Sequence, residues 1–407
     1  MSRRRRWTPV RGTGNRVYET RERLALLALD LPGRLLLAGP AWWARRRDHA
    51  PAGALRDILV LRLDRIGDLV MSLPALHDLR RALPAARIRL AVPAWSLDVA
   101  RSAPVDEVLT WSPPWAGRPQ EGADAWPALL AKARALRGAP LDLALDLQGD
   151  VRAALLLWQS GARRRVGYVN TGGRHFLTRV VPLDETVSWV EQNRRAVQTA
   201  LGGPVAAVAA PDPLTADERA AGAALLAARG AVRHPLVGVH PSGGRLVKQW
   251  DVERWAAVAA RLQQECGATV VVTGSAADRP LAEALLRALP VPGIDLTGAL
   301  GVRETMGAIA ALDLFLSPDT GPMHMACAVG TPSVSVFGPS DPVRYFSGGS
   351  GAPDARHVVV RRELWCSPCN LIRRPPEECA GGPPECLRLV SVDDVLDPAR
   401  RLLAERA

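Results

Sequence analysis

Short apolar runs that alternate with helix-spaced segments, once from Asp57 and again from Leu236, constrain this chain more than any other feature. An apolar run of four to seven residues followed by helical periodicity reads as a parallel βαβ unit, buried on both faces. In the first series, strands are expected at Ile58–Leu63, Ile88–Val92, Glu107–Thr110 and Leu141–Leu147. Helices are expected from Asp68 to Leu83 and at Ala125–Arg137, Val151–Gln159 and Trp189–Leu201. Gly202–Pro213, rich in Gly, Ala and Pro, reads as a linker. The second series places strands at Leu236–His240, Ala268–Thr273, Leu314–Ser317 and Ser333–Phe337, with helices at Val252–Glu265, Ala277–Leu289 and from Pro322. The fold class is therefore α/β, two open parallel sheets covered by helices, with ligands expected outside the carboxyl ends of the strands.

A chain of 407 residues has room for two such halves, each with its own core. We expect domains at 55–205 and 236–345, joined by a linker and connecting helix at 206–235. An N-terminal extension occupies 1–54 and a cysteine-containing segment 346–407, whose closing helix Asp393–Glu405 is expected to cross back to the first half.

Charge is uneven. Twelve arginines against Glu19, Glu22, Asp30 and Asp48 give the first 50 residues +8 of the total +11. The body is thus nearly balanced, and with no aromatic-and-basic recognition motif in it, nucleic acid is not an expected partner. The stretch Leu24–Trp43 is apolar but interrupted by Asp30, Pro32, Gly33, Arg34 and Pro40, so it does not read as a spanning helix. Nor does it carry a secretory signal. With Trp42, Trp43 and flanking arginines, it suits the surface of an anionic membrane. A basic tail followed by a helix packed on the protein is the alternative. The expected location is cytoplasmic, peripheral on the inner face of the membrane.

Three segments at strand ends carry chemistry. Arg62-Leu63-Asp64-Arg65-Ile66-Gly67-Asp68 follows the first strand, and a carboxylate at Asp68 can take a proton from a hydroxyl. An ordinary helix cap would use the same residue. Ser317-Pro318-Asp319-Thr320-Gly321-Pro322-Met323-His324 opens a helix whose free N–H groups favour an anion such as diphosphate. His240-Pro241-Ser242-Gly243-Gly244, with Lys248 beyond it, is a Gly-rich turn that lets backbone approach phosphate. Thr273-Gly274 would complete a nucleotide pocket. Neither a G-x-G-x-x-G fingerprint nor a G-x-x-x-x-G-K-[ST] loop is present, which weakens dehydrogenase and NTPase readings.

Together, Ile58–Pro74, His240–Gly243 with Lys248-x-Trp250, Asp319-Thr320-Gly321-Pro322-x-His324 and Val336–Pro342 resemble glycosyltransferase family 9, the lipopolysaccharide heptosyltransferases. The resemblance covers about residues 57–345 and continues loosely to 397. It implies a GT-B fold, two facing Rossmann-like domains with a cleft between them, and inversion at the anomeric carbon. It also implies Asp68 as base, Lys248 on the donor phosphate, and ADP-heptose as favoured donor to a lipid-linked saccharide. Donor contacts are then expected from Ser242, Gly243, Lys248, Thr273, Gly274, Asp319, Thr320, Gly321 and His324, and acceptor contacts from Arg62, Arg65 and Gln148. The sequence contains no Asp-x-Asp pair, so no catalytic metal is expected. A sugar-nucleotide epimerase or hydrolase of similar fold is the second enzyme reading. A non-catalytic protein bound to membrane or nucleic acid is the third.

Cys366-x2-Cys369-x9-Cys379-x6-Cys386 lies in a Pro/Gly-rich stretch with little core of its own. Four thiols at this spacing suit a structural zinc or iron, with free thiols and disulfides as the alternatives.

Overall fold

A computed structural model describes residues 20–46, 48, 51–116, 123–138, 140–347, 356–373 and 375–405. Residues 1–19, with Arg3–Arg6, Arg11, Arg16 and Glu19, lie outside the described residues, as does Arg47. Two compact units divide between Pro211 and Asp212.

The first unit is built on six strands: β1 Asp57–Leu61, β2 Arg87–Val92, β3 Glu107–Thr110, β4 Leu143–Asp146, β5 Arg164–Gly167 and β6 Arg179–Val180. They lie in the order β3-β2-β1-β4-β5-β6, every neighbouring pair parallel. The second unit repeats the plan with β7 Leu236–Val239, β8 Thr269–Val272, β9 Ile294–Asp295, β10 Leu314–Pro318, β11 Ser333–Val336 and β12 His357–Val360. Its order is β12-β11-β10-β7-β8-β9, again parallel throughout. Ile58, Leu59, Val60 and Leu61 are all fully buried, as a strand covered by helices on both faces requires. In each sheet the chain starts in the middle, builds outward to one edge, and returns to build the other. That reversal falls between β1 and β4 in one unit and between β7 and β10 in the other. Such switch points open a crevice at the strands' carboxyl ends.

Several expectations are refined or corrected. Among the described residues of the extension, helices α1, Thr20–Leu36, and α2, Ala38–Arg46, pack on the first unit, as one of the two alternatives for this stretch has it, and Leu26 enters its core beside Val151, Ala154 and Phe176. Asp48 ties its far end to Arg164 at 2.6 Å and Arg179 at 2.8 Å. The closing helix, observed at Val392–Ala404, packs within the second unit. Its Val395, Leu396, Ala399 and Leu402 fill the core of the second unit with Trp250 and Trp255. β12 likewise joins the second sheet, so residues 346–407 are no independent segment. The helix expected from Asp68 starts earlier, at Ile66, and is broken at Met71–Ser72 before a second helix, Leu73–Ala82.

Candidate functional site

The first unit's residues collect where β1 and β4 end. Asp68 sits in the first turn of the Ile66–Val70 helix, whose cap position is held by Arg65 without a side-chain cap bond. The simple cap alternative therefore fails for Asp68. Its carboxylate lies 3.6 Å from Arg62 and remains about a quarter exposed. Arg62 is nearly buried: it also pairs with Asp64 at 3.1 Å and donates to the Leu147 carbonyl. Arg62, expected to contact the acceptor, has these partners within the protein. Its guanidinium is committed inward, bracing the β1 turn against the β4 turn, and it holds Asp68 from behind. Arg65 is exposed.

Asp146, the last residue of β4 and partner of Leu61 in register, adds a third carboxyl to this cluster. It is fully buried and accepts from the Gln148 and Gly149 N–H groups at 2.9 and 3.0 Å. Burial pushes its carboxyl up to about 7 despite those bonds and Arg62. Burial likewise raises Asp64 to about 8; Arg62 opposes it, while Asp68 and Asp146 reinforce it. One guanidinium cannot fully offset three neighbouring carboxylates, so the inner two are held above their ordinary range. The Gln148 Oε1 atom is buried with no hydrogen-bond partner among the described residues. An unmet acceptor beside Asp146 suits contact with a sugar hydroxyl.

The second unit's residues collect at β7 and β10 in the same way. Lys248 and Asp319, both buried, form an ion pair at 2.7 Å that links the two strand ends. Burial alone would raise the Asp319 carboxyl, but the charge and hydrogen bond of Lys248 hold it below its ordinary range, and His324 assists. A Cβ on Gly243 would come within 2.5 Å of the Lys248 carbonyl carbon, so only glycine lets the turn carrying the lysine fold against β7. Ser242 hydrogen-bonds Asp278. Thr273 reaches the His240 ring at 3.4 Å, and burial drives that imidazole down to about 4. His240 is consequently neutral near pH 7 and brings no charge. Gly274 is hemmed in by Asp278 and Thr297.

Thr320 caps the nine-residue helix Gly321–Val329 in an extended conformation with no side-chain cap bond, leaving the N-terminal N–H groups without a side-chain acceptor from the cap. Pro322 is the second helical residue, where a missing N–H costs nothing. His324, a turn in, contacts the Ser347 hydroxyl at 3.0 Å. The structure therefore brings Ser242, Gly243, Lys248, Asp319, Thr320, Gly321 and His324 to adjoining loops at one switch point, with Thr273 and Gly274 beyond neighbouring β8.

Asp64, Asp146 and Asp278 were not singled out from sequence. The signal for the first two was present: both stand at ends of strands that the topology makes neighbours.

The four clustered cysteines are not disulfide-bonded. Their thiols influence one another: burial pushes Cys386 up to about 12, with Cys369, Cys379 and Cys366 adding to the rise. Among the described residues no three potential ligands stand in metal-holding geometry.

Two parallel six-stranded sheets with this strand order, each presenting polar residues at its reversal, define a GT-B protein. The fold is shared with a family 9 glycosyl transferase from Veillonella parvula (TM-score 0.71, 21% identity, 88% of this chain and 99% of that one). It is shared also with the ADP-heptose LPS heptosyltransferase II of E. coli (TM-score 0.68, 23% identity, 86% and 99%). Lipopolysaccharide heptosyltransferase 1 of Pseudomonas aeruginosa is 27% identical over 340 residues, 79% of this chain and 89% of that protein. Residues 129–378 match the model of glycosyltransferase family 9 (heptosyltransferase). The chain belongs to that family and is a glycosyltransferase.

Proposed function

We propose that this chain transfers a heptose from ADP-heptose to a lipid-linked saccharide of the cell envelope, with inversion. The observation that carries the reading is Asp68, a partly exposed carboxylate fixed by Arg62 at a switch point. In the reaction, the acceptor hydroxyl oxygen bonds to the anomeric carbon while the bond from that carbon to the β-phosphate oxygen breaks. The hydroxyl proton passes to Asp68, and the bonding pair leaves with ADP. The helix start at Thr320–Gly321 and the Lys248 ammonium stabilise the charge that develops there. Gln148 and Arg65 are then acceptor contacts. The donor assignment is supported by the relatives, whose names specify heptose and, in one, ADP-heptose.

The decisive variant is Asp68→Asn, which should keep ADP affinity by calorimetry and lose transfer. Normal transfer by that variant removes Asp68 from the mechanism. An assay that finds donor isomerised or hydrolysed, and no sugar on the acceptor, instead supports the epimerase or hydrolase reading.

A structural zinc or iron on Cys366, Cys369, Cys379 and Cys386 belongs to the same proposal, supported by four unpaired thiols that influence one another in a loop with little core. Elemental analysis of protein purified without chelator should find about one metal per chain. Metal-free, fully folded protein rejects it.

A further inference from the structure

The outer face of the N-terminal helical pair carries none of the residues assigned above to sugar transfer, yet it is regularly patterned. At 3.6 residues per turn, Leu24, Leu27, Leu31 and Leu35 fall within an arc of roughly 80° on α1. All four are exposed, Leu35 by 82%. The opposite side of the same helix holds Leu26, Asp30 and Gly33, which face the protein. Asp30 is buried and accepts from the Gly173 N–H at 2.7 Å. Gly33 packs so closely that a Cβ there would overlap the His175 ring. On α2, Ala41 is buried while Trp42 and Trp43 are about half exposed. Arg46 stacks 4.0 Å over the Trp42 ring, and the Arg45 guanidinium donates to the Arg174 carbonyl at 3.1 Å. Of the fifteen exposed large hydrophobic residues among the described residues, seven lie between Leu24 and Trp43. Such concentration marks an interaction surface rather than ordinary scatter.

We infer that this face lies on a bilayer containing anionic lipids, with the leucine stripe and the two tryptophans entering the headgroup boundary. Charge decides the occupant. Arg46 and Arg34 are exposed beside the patch, Arg34 while also paired with Asp30 at 2.6 Å, and Arg45 is turned to the Arg174 carbonyl. The first 50 residues of the sequence carry +8. A second copy docking face to face would bring two such clusters together, whereas anionic headgroups complement them. Leucines at the centre with tryptophan and arginine at the end is the arrangement of an interfacial helix. No described helix is long and apolar enough to cross a membrane. The buried Asp30 and Asp48 contacts fix the pair to the first unit, so the whole unit would be held at the surface rather than tethered by a loose tail. This goes beyond the transfer reading and stands without it.

Flotation of the full chain tests it, using vesicles of phosphatidylcholine alone and with roughly 30% phosphatidylglycerol. Wild type should float with the anionic vesicles, and Leu31→Glu/Leu35→Glu should lower the bound fraction by about tenfold. Trp42→Ala/Trp43→Ala, which leaves α1 intact, provides an independent reading should the glutamates impair folding. Thermal midpoints serve as the folding control. The inference is overturned if wild type stays with the soluble fraction, or if folded variants float as it does. It is also overturned if wild type is a dimer in ultracentrifugation that the variants break.

Discussion

The two switch points share a topology and differ in charge. Where β1 and β4 end, Asp64, Asp68 and Asp146 crowd one buried guanidinium. Where β7 and β10 end, one carboxylate and one ammonium form a single pair beside a helix start. An acid-rich corner suits proton acceptance, and a cation at a helix N-terminus suits an anionic leaving group. The same strand plan thus supports opposite chemistry, because the plan fixes only where loops converge. Which side chains those loops carry decides the rest.

The strongest way to break this comparison is Asp68→Asn, expected to lower transfer by roughly 10³-fold, within the range for loss of a general base. Next comes Lys248→Met, which strands a buried Asp319 and should cost about 3 kcal/mol or more in urea unfolding, besides weakening ADP binding. Adding Asp319→Asn should restore the stability and leave ADP binding weak. If ADP binding survives in Lys248→Met, the second site does not use its cation for the anion.

A smaller effect separates the inner acids. The unfolded chain ionises Asp64 above about pH 4, while the folded chain keeps its proton up to about 8. Stability therefore falls as pH rises through that window and is unaffected below it. Asp64→Asn removes this penalty. Its thermal midpoint relative to wild type should rise from pH 5 to pH 8 by about 3 °C or more, the equivalent of ~1 kcal/mol in a unit of this size. A gap that does not change with pH denies the shared protonation. The smallest expected effect is that of EDTA, which should leave the transfer rate within about twofold if, as proposed, the lysine and helix dipole stabilise the leaving diphosphate. Loss of transfer with EDTA, restored by magnesium or manganese, overturns that assignment.

Much of the fold was legible because buried parallel strands are written as apolar runs. Glu107–Thr110, Val151–Gln159 and Trp189–Leu201 were placed with the observed bounds. β5 was missed because Arg164 and Arg165 break the apolar pattern. Their burial is met by Asp48 on Arg164, a contact distant in sequence, and by the Phe176 and Ala162 carbonyls on Arg165. β6 and β9 have two residues each, too few to show periodicity. At the sites, Asp68 and Lys248 were recognisable by motif. The Lys248–Asp319 pair was not, since it depends on two strand ends meeting in space. Asp30 and Gly33 show the reverse case: they argued correctly against a spanning helix, and their packing role appeared only in three dimensions.

The second unit places its last described helix, Val392–Ala404, at the centre of its core, and the indole N–H of Trp250 donates to the Val390 carbonyl at 3.3 Å. Trp250 is two residues from Lys248. On the ribosome, the first unit's sheet can therefore close while later codons are still being read. The lysine turn must wait until residues 390–404 have emerged, so a message truncated before them would yield a folded first unit beside an unfinished second one.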